Sequence, residues 1–429
     1  MSHTTDLLSP LPIYPGTKPR FHAMVKPTGA ICNLDCAYCY YLHKEELLGS
    51  DSKFRISDEV LEAHVRQYIE SQRGDEVVFS WQGGEPTLLG VGFFEKVVAL
   101  EKKYQRPNQR IENDLQTNGT LLNDEWCAFL RQNKFLVGLS IDGPQELHDR
   151  FRVDKGGQPT FEKVFAAGRL LQGYEIPFNT LTVVNRVNAK RPLDVYRFLS
   201  RELRPRELQF IPCVEPKVFE NIAPQKWDPA ALPMQGSLAA RPGNPDSVVT
   251  DWSIDPDDWG YFLCKVWDDW YRRDYGKVHV NLFETAVAQW MGMDSQLCVY
   301  NEFCGKGVAL EHDGSVYSCD HYVYPEYKLG NISEQHISRM VFSEREKKFG
   351  FAKFHDLPQQ CRDCKYLFAC NGECPKNRLI RTRHGEPGLN YLCSGLLKFW
   401  QHIDGDMKDI LQRVVRSGLP ANLPHFHVG

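Results

Sequence analysis

Three cysteines near the amino terminus stand at a spacing that suits an iron–sulfur cube: Cys32, Cys36 and Cys39 form a C-x3-C-x2-C run. Three thiolates on a four-iron cluster leave one iron without a protein ligand, open to a small molecule. A zinc ion with an open position is the competing use of three thiolates. No fourth cysteine follows closely, and His43 is the nearest histidine. A second series, Cys298, Cys304, Cys319, Cys361, Cys364, Cys370, Cys374 and Cys393, supplies eight more thiols. Eight thiolates fill two closed four-iron clusters, or two zinc sites, since the pair Cys361-x2-Cys364 suits either metal. Spacing alone leaves the partition of the eight open. Only Cys127, Cys213 and Cys264 lie outside these groups.

The rest of the chain favours metal over disulfides. Met1 to Arg20 is polar and proline-punctuated, without the apolar core of a signal peptide, and no later run is apolar for long enough to span a bilayer. The expected setting is the cytoplasm, whose reductants keep thiols free. With 51 basic and 55 acidic residues and no basic block, neither nucleic acid nor membrane is an expected partner.

From Phe21 to about Pro212, short apolar runs alternate with longer amphipathic ones, the pattern of βα units on a parallel sheet. Expected strands are Phe21–Val25, Glu76–Trp81, Ile111–Gln116, Phe135–Ile141, Phe178–Val184 and Glu207–Ile211. Expected helices are Ser57–Gln72, Gly92–Tyr104, Asn123–Gln132, Phe161–Gln172 and Pro192–Glu202, with Ser57 and Asn123 as N-caps. Six repeats suit an α/β fold of the partial (β/α)6 TIM-type barrel class. Cys32, Cys36 and Cys39 then sit at the carboxyl end of the first strand, the face on which barrel sites are built.

The expected organisation is an extension at 1–20, the barrel at 21–213, a Pro- and Gly-rich irregular region at 214–254 and a helical connection at 255–296. A cysteine-rich domain at 297–394 and a final helix with its tail at 395–429 complete it. Trp259, Phe262, Leu263, Val266, Trp267 and Trp270 form a stripe at helical spacing that reads as a core face. His425 and His427 read as a frayed tail rather than a metal site.

On these residues the chain resembles the radical SAM (S-adenosylmethionine) superfamily, which places an aromatic residue, here Tyr38, before the last cysteine of the run. Trp81-Gln82-Gly83-Gly84-Glu85-Pro86 after the second strand resembles the family's GGE element. The resemblance implies that Gly83, Gly84 and Glu85 hold the amino group of SAM. It also implies that Gln82, Ser140 and Arg152 reach its adenosine and carboxylate parts, with Thr117-Asn118-Gly119 after the third strand and Tyr41 bordering the pocket.

The second cysteine series resembles the SPASM extension of these enzymes. By that resemblance Cys298, Cys304, Cys319 and Cys374 hold one auxiliary cluster, and Cys361, Cys364, Cys370 and Cys393 the other. The cofactors implied are three [4Fe-4S] clusters and SAM. Within this group, Gly314 to Tyr322 and Glu326 to Asn331 are similar to the anaerobic sulfatase-maturating enzymes. That family places its base immediately after the third auxiliary cysteine, the position of Asp320; a residue that merely steadies Cys319 is the bland alternative.

The activity implied is oxidation of a sulfatase Cys or Ser to Cα-formylglycine. The partners implied are a sulfatase polypeptide, as an unfolded or nascent segment, and a reductant such as flavodoxin or ferredoxin. A SPASM peptide maturase forming thioether or carbon–carbon cross-links is the rival; many carry a leader-recognition domain, for which the 31 residues before Cys32 are short. An electron carrier or zinc-stabilised binding module is the non-enzymatic alternative.

Overall fold

The computed structural model describes residues 20–41, 44, 47, 55–220, 222 and 228–416. His43, Pro224, His425, His427 and nearly all of the extension at 1–20 lie outside the described residues. The chain divides into two compact bodies. The first comprises the residues up to Ser140 together with Arg152–Phe178 and Phe303–Ala352; the second comprises Ile141–Phe151, Asn179–Glu302 and the residues from Lys353 onward.

In the first body, β1 (His22–Lys26), β2 (Glu76–Trp81), β3 (Arg110–Thr117) and β4 (Leu136–Ser140) are parallel neighbours in chain order. They alternate with α1 (Asp58–Ser71), α2 (Val91–Tyr104) and α3 (Asp124–Gln132), and α4 (Phe161–Gly173) follows. Ser57 and Asn123 accept hydrogen bonds from the Val60 and Trp126 amides, the expected caps.

Alternation along the strands decides what each face does. Val77, Phe79, Trp81, Leu115, Val137 and Leu139 are fully buried, and Phe79 and Trp81 pack on Tyr68, Phe93 and Phe94 from the helices. The intervening Met24, Val78, Glu112, Asp114, Gln116, Leu136 and Ser140 are only half-buried. This second face is less evenly covered than the first, although Lys26 and Ser80 on it are each 2 % exposed.

β1 has a further neighbour that periodicity did not reveal. β8 (Gly307–Glu311) pairs with it in parallel, matching Lys26 to Glu311, and β9 (Ser315–Tyr317) and β10 (Lys328–Asn331) extend the sheet antiparallel. β8 and β9 are five and three residues long and almost uniformly buried, and the four residues of β10 are exposed to half-buried throughout, so no period-2 signal marks any of them.

In the second body β5 (Phe178–Val184), β6 (Glu207–Pro212) and β7 (His279–Val280) are parallel, β5 and β6 being joined by α5 (Pro192–Phe198). The helix expected to run to Glu202 instead passes into a π turn over Leu199–Leu203. The proline-rich stretch is irregular but strapped down, with Pro216 bridging Val249 and the Ile254 amide donating to the Cys213 carbonyl. The aromatic stripe lies on α6 (Pro256–Arg273), where Trp259, Phe262, Trp267 and Trp270 are fully buried. It packs against the final helix, Cys393–Arg416, through contacts such as Trp267 on Phe399. A side chain at Gly395 would meet the Pro256 carbonyl oxygen at 1.9 Å, so glycine permits this crossing.

Candidate active site

The segment carrying Cys32, Cys36 and Cys39 is held from two sides. The Gly84 amide donates to the Gly29 carbonyl at 2.8 Å and the Glu85 amide to the Ile31 carbonyl at 2.9 Å, so the GGE turn is laced to the cysteine loop. Gly83 has φ +124°, and a Cβ at Gly84 would lie 1.9 Å from the Ile31 oxygen. Both glycines are therefore required by the backbone. On the other side the Asn118 amide group reaches Cys32 Sγ at 3.7 Å and Asn33 Oδ1 at 2.8 Å.

Glu85 fastens these pieces together. It is 1 % exposed. Its Oε1 accepts from the Thr87 amide and hydroxyl and from the Thr117 hydroxyl, and its Oε2 from the Asn118 amide at 2.7 Å. Each carboxylate oxygen offers about two acceptor positions, so Oε2, with a single donor, keeps one. Ser140 accepts from the Gln116 side chain at 2.9 Å. The Arg152 guanidinium lies over the Tyr38 ring, 5.5 Å from its centre, placing it beside the last turn of the cysteine loop.

Asp320, Gln82 and Tyr41 are brought together by a residue that sequence reasoning missed. Lys26, the last residue of β1, is 2 % exposed and forms an ion pair with Asp320. Its ammonium donates to Gln82 Oε1 at 3.4 Å and stands 4.8 Å from the centre of the Tyr41 ring. The Tyr40 hydroxyl donates to Asp320 Oδ2 at 2.5 Å, and the Tyr41 hydroxyl donates to Glu311. Lys26, Tyr40 and Glu311 escaped notice because each reads as an ordinary strand-end or loop residue. The one available signal was that Lys26 closes the strand that delivers the cysteines, on the face where barrel sites gather.

The electrostatics follow from this packing. Burial alone pushes the Asp320 carboxyl up, but the Lys26 ammonium, His321 and the Tyr40 hydroxyl outweigh it and hold the pKa at about 2. Burial and then the facing carboxylates push Tyr40 and Tyr41 well above the ordinary tyrosine range. Burial also drives Cys32 up to about 11, with Glu85 and Cys39 adding to it against the bonds from Leu34 and Asn118. Such a thiol becomes a thiolate when a positive centre sits beside it, which iron provides. The donor set of this loop therefore fits a cluster.

In the second body, Cys361, Cys364, Cys370 and Cys393 share one neighbourhood. Burial raises Cys370 and then Cys393 and Cys361 raise it further; Cys393, pushed up to about 12, feels Cys361 and Cys364. Four thiols that repel one another's ionisation suit a shared cationic centre. Cys298 and Cys374 belong to the second body, Cys304 and Cys319 to the first. The Lys353 ammonium donates to the carbonyls of Cys298 and Val299, at 2.7 and 2.8 Å. Cys127, Cys213 and Cys264 are buried free thiols.

Residues 27–199 match the radical SAM superfamily and residues 300–365 the SPASM iron–sulfur cluster-binding domain. A serine-type anaerobic sulfatase-maturating enzyme of Bacteroides thetaiotaomicron is 44 % identical over 95 % of both chains. A cysteine-type enzyme of Clostridium perfringens is 33 % identical over 90 % of this chain and 96 % of its own. The structure of native anSMEcpe with bound AdoMet and Cp18Cys peptide superposes with a TM-score of 0.78 at 32 % identity, covering 92 % of this chain and all of that one. By these full-length matches, the chain belongs to the anaerobic sulfatase-maturating enzymes, radical SAM oxidoreductases with a SPASM domain.

Proposed function

We propose that this chain oxidises a serine or cysteine side chain of a sulfatase polypeptide to Cα-formylglycine. The observation that carries the reading is the buried assembly of Asp320, Lys26, Tyr40 and Gln82 at the carboxyl end of β1, in the same body as the cysteine loop. In this reading Cys32, Cys36 and Cys39 hold the SAM-binding cluster, and the Gly83–Gly84 backbone with the spare acceptor of Glu85 takes the SAM amino group. Gln82, Ser140, Arg152 and Tyr41 line the remainder of that pocket. Cys298, Cys304, Cys319 and Cys374 hold one auxiliary cluster, and Cys361, Cys364, Cys370 and Cys393 the other.

When bound, these groups supply a carbon radical able to take a hydrogen atom from the substrate Cβ, and an acceptor for the electron left behind. Asp320 receives the proton of the substrate hydroxyl or thiol. The Lys26 ammonium and the Tyr40 hydroxyl hold Asp320 as a carboxylate, and the substrate gives it the proton as the remaining electron leaves and the double bond to carbon forms. Lys26 and Tyr40 fix the orientation of the accepting oxygens. The balance is one hydrogen atom, one proton and one electron, a two-electron oxidation.

The 44 % identical relative is serine-type, against 33 % for the cysteine-type enzyme, and serine is therefore the first substrate to test. The fourteen cysteines, eleven of them at spacings that suit metal, fit a reducing cytoplasm, with a low-potential reductant such as flavodoxin or ferredoxin as electron donor. No helix among the described residues is long and apolar enough to cross a membrane.

The deciding experiment is anaerobic incubation of the reconstituted enzyme with SAM, a reductant and paired serine- and cysteine-containing sulfatase peptides, read by mass spectrometry. Formation of the aldehyde, with loss of two hydrogens from serine, is the expected result. Release of 5'-deoxyadenosine with a cross-linked peptide and no aldehyde would point to the maturase reading instead.

A further inference from the structure

A buried cation of the second body is left almost without acceptors. Arg378 follows the short turn Pro375–Asn377 and is 2 % exposed. A guanidinium carries five N–H donors and cannot shed its proton. Among the described residues no carboxylate forms an ion pair with it, its Nε is buried without a partner, and its Nη2 donates to the Lys353 carbonyl. Glu373, the acid on the same loop, receives the side-chain amides of Asn377 and Asn390 instead, at 2.9 and 2.7 Å. Buried charges are ordinarily paired or bound to a metal group, so the anion that Arg378 lacks must come from a bound group.

The surroundings of the guanidinium say which group that is. Gly372 has φ +70°, and a Cβ there would lie 3.1 Å from Nη2, so glycine leaves the guanidinium its room. The amide of the same Gly372 donates to the Cys370 sulfur. Burial drives the Cys361 thiol up to about 11, and of the charges around it the Arg378 guanidinium acts on it most, pulling the other way. Arg362 and Arg383 also act on thiols of this set, but both are exposed and screened by water and salt.

We propose that Arg378 is the positive charge that poises the auxiliary cluster held by Cys361, Cys364, Cys370 and Cys393, making that cluster easier to reduce. The inference rests on the cluster assignment above and adds to it the residue that sets the potential. A four-iron cluster with four thiolates is an anion, and reduction adds one more negative charge to it. A fixed cation nearby favours the reduced form, and a water-poor surrounding enlarges the effect. Arg378 acts through the cluster and touches no substrate.

The test uses the reconstituted holoenzyme without substrate. Iron is counted and the cluster midpoints are followed by electron paramagnetic resonance during a redox titration, in the wild type, Arg378→Gln and Arg378→Lys. Arg378→Gln should lower one midpoint, its reduction equilibrium falling by about tenfold, or about 59 mV for one electron, and should leave the other midpoints where they stand. Arg378→Lys, which keeps the charge, should hold that midpoint near the wild-type value. In a background with Cys361 and Cys364 replaced by alanine, Arg378→Gln should shift nothing. Unmoved midpoints in an iron-replete Arg378→Gln would overturn the proposal, as would a shift that survives the loss of Cys361 and Cys364 or that Arg378→Lys shares in full. Should Arg378→Gln fail to hold iron, Arg378→Lys decides: full iron at the wild-type midpoint supports the charge, and equal loss in both variants marks a role in shape alone and overturns it. Because substrate is absent, a failure to make aldehyde leaves this inference standing. Unmoved midpoints with normal aldehyde formation end the inference and leave the oxidation reading intact.

Discussion

Lys26 and Asp320 form a buried ion pair between the carboxyl end of β1 and the turn after β9, with side-chain exposures of 2 % and 12 %. Removing one partner of such a pair strands the other charge, at a cost of about 3–5 kcal/mol. Lys26→Met and Asp320→Asn should each lower the melting temperature, and the double variant should recover most of the loss. Aldehyde formation should fall by about 10²–10⁴-fold in Asp320→Asn, the scale of a lost general base, while 5'-deoxyadenosine release persists. Undiminished aldehyde in Asp320→Asn would move the base elsewhere.

Gly84 is the tightest approach between the GGE turn and the cysteine loop. In Gly84→Ala the new Cβ would stand 1.9 Å from the Ile31 carbonyl oxygen, so the cysteine loop must shift. The expected result is loss of SAM cleavage together with about four of about twelve irons. Gly92→Ala, where a Cβ meets nothing within 4 Å, is the control and should behave as wild type. Equal behaviour of the two variants would show that the lacing of these loops does not matter.

The three cysteines of the first loop and the four of the second body should be separable. Replacing Cys32, Cys36 and Cys39 together with alanine should abolish SAM cleavage and leave about eight irons. Replacing Cys361 and Cys364 should instead retain SAM cleavage and reduce aldehyde yield. Iron analysis with electron paramagnetic resonance distinguishes these outcomes, and loss of every cluster in both variants would mean that the two bodies fold only together.

Glu101 gives a pH dependence whose sign is fixed. Burial raises its carboxyl from 4.5 to about 8, against the opposing bond from Asn113. Between those values the folded chain holds a proton that the unfolded chain releases, so this group's contribution to stability is full below pH 4.5 and is lost as pH rises towards 8. Glu101→Gln removes the effect. Its melting temperature should gain on the wild type by several degrees between pH 6 and pH 8.5, and a constant difference across that range would refute the assignment.

Much of the scaffold was legible from residue order. Glu76–Trp81 and Phe178–Val184 are strands with the expected bounds, and Ser57 and Asn123 cap the helices they were expected to cap. These features depend on alternation and capping within a few residues. β8 and β9 escaped because a short strand buried on both faces has no alternation to show, and β10 because its four residues, exposed to half-buried alike, show none either. The π turn at Leu199–Leu203 escaped because backbone hydrogen-bond slippage inside a helical run leaves no compositional mark.

The sequence by itself determined the class of chemistry, since thiol count and spacing within single loops limit which metal groups can bind and the glycines beside them limit where SAM can approach. Tertiary structure alone decided that Lys26 faces Asp320 and that Tyr41 faces Glu311. The physical reason is that an ionisable group's charge state and partners depend on neighbours delivered from distant parts of the chain, whereas strand pattern, caps and cysteine spacing are set by residues a few positions apart.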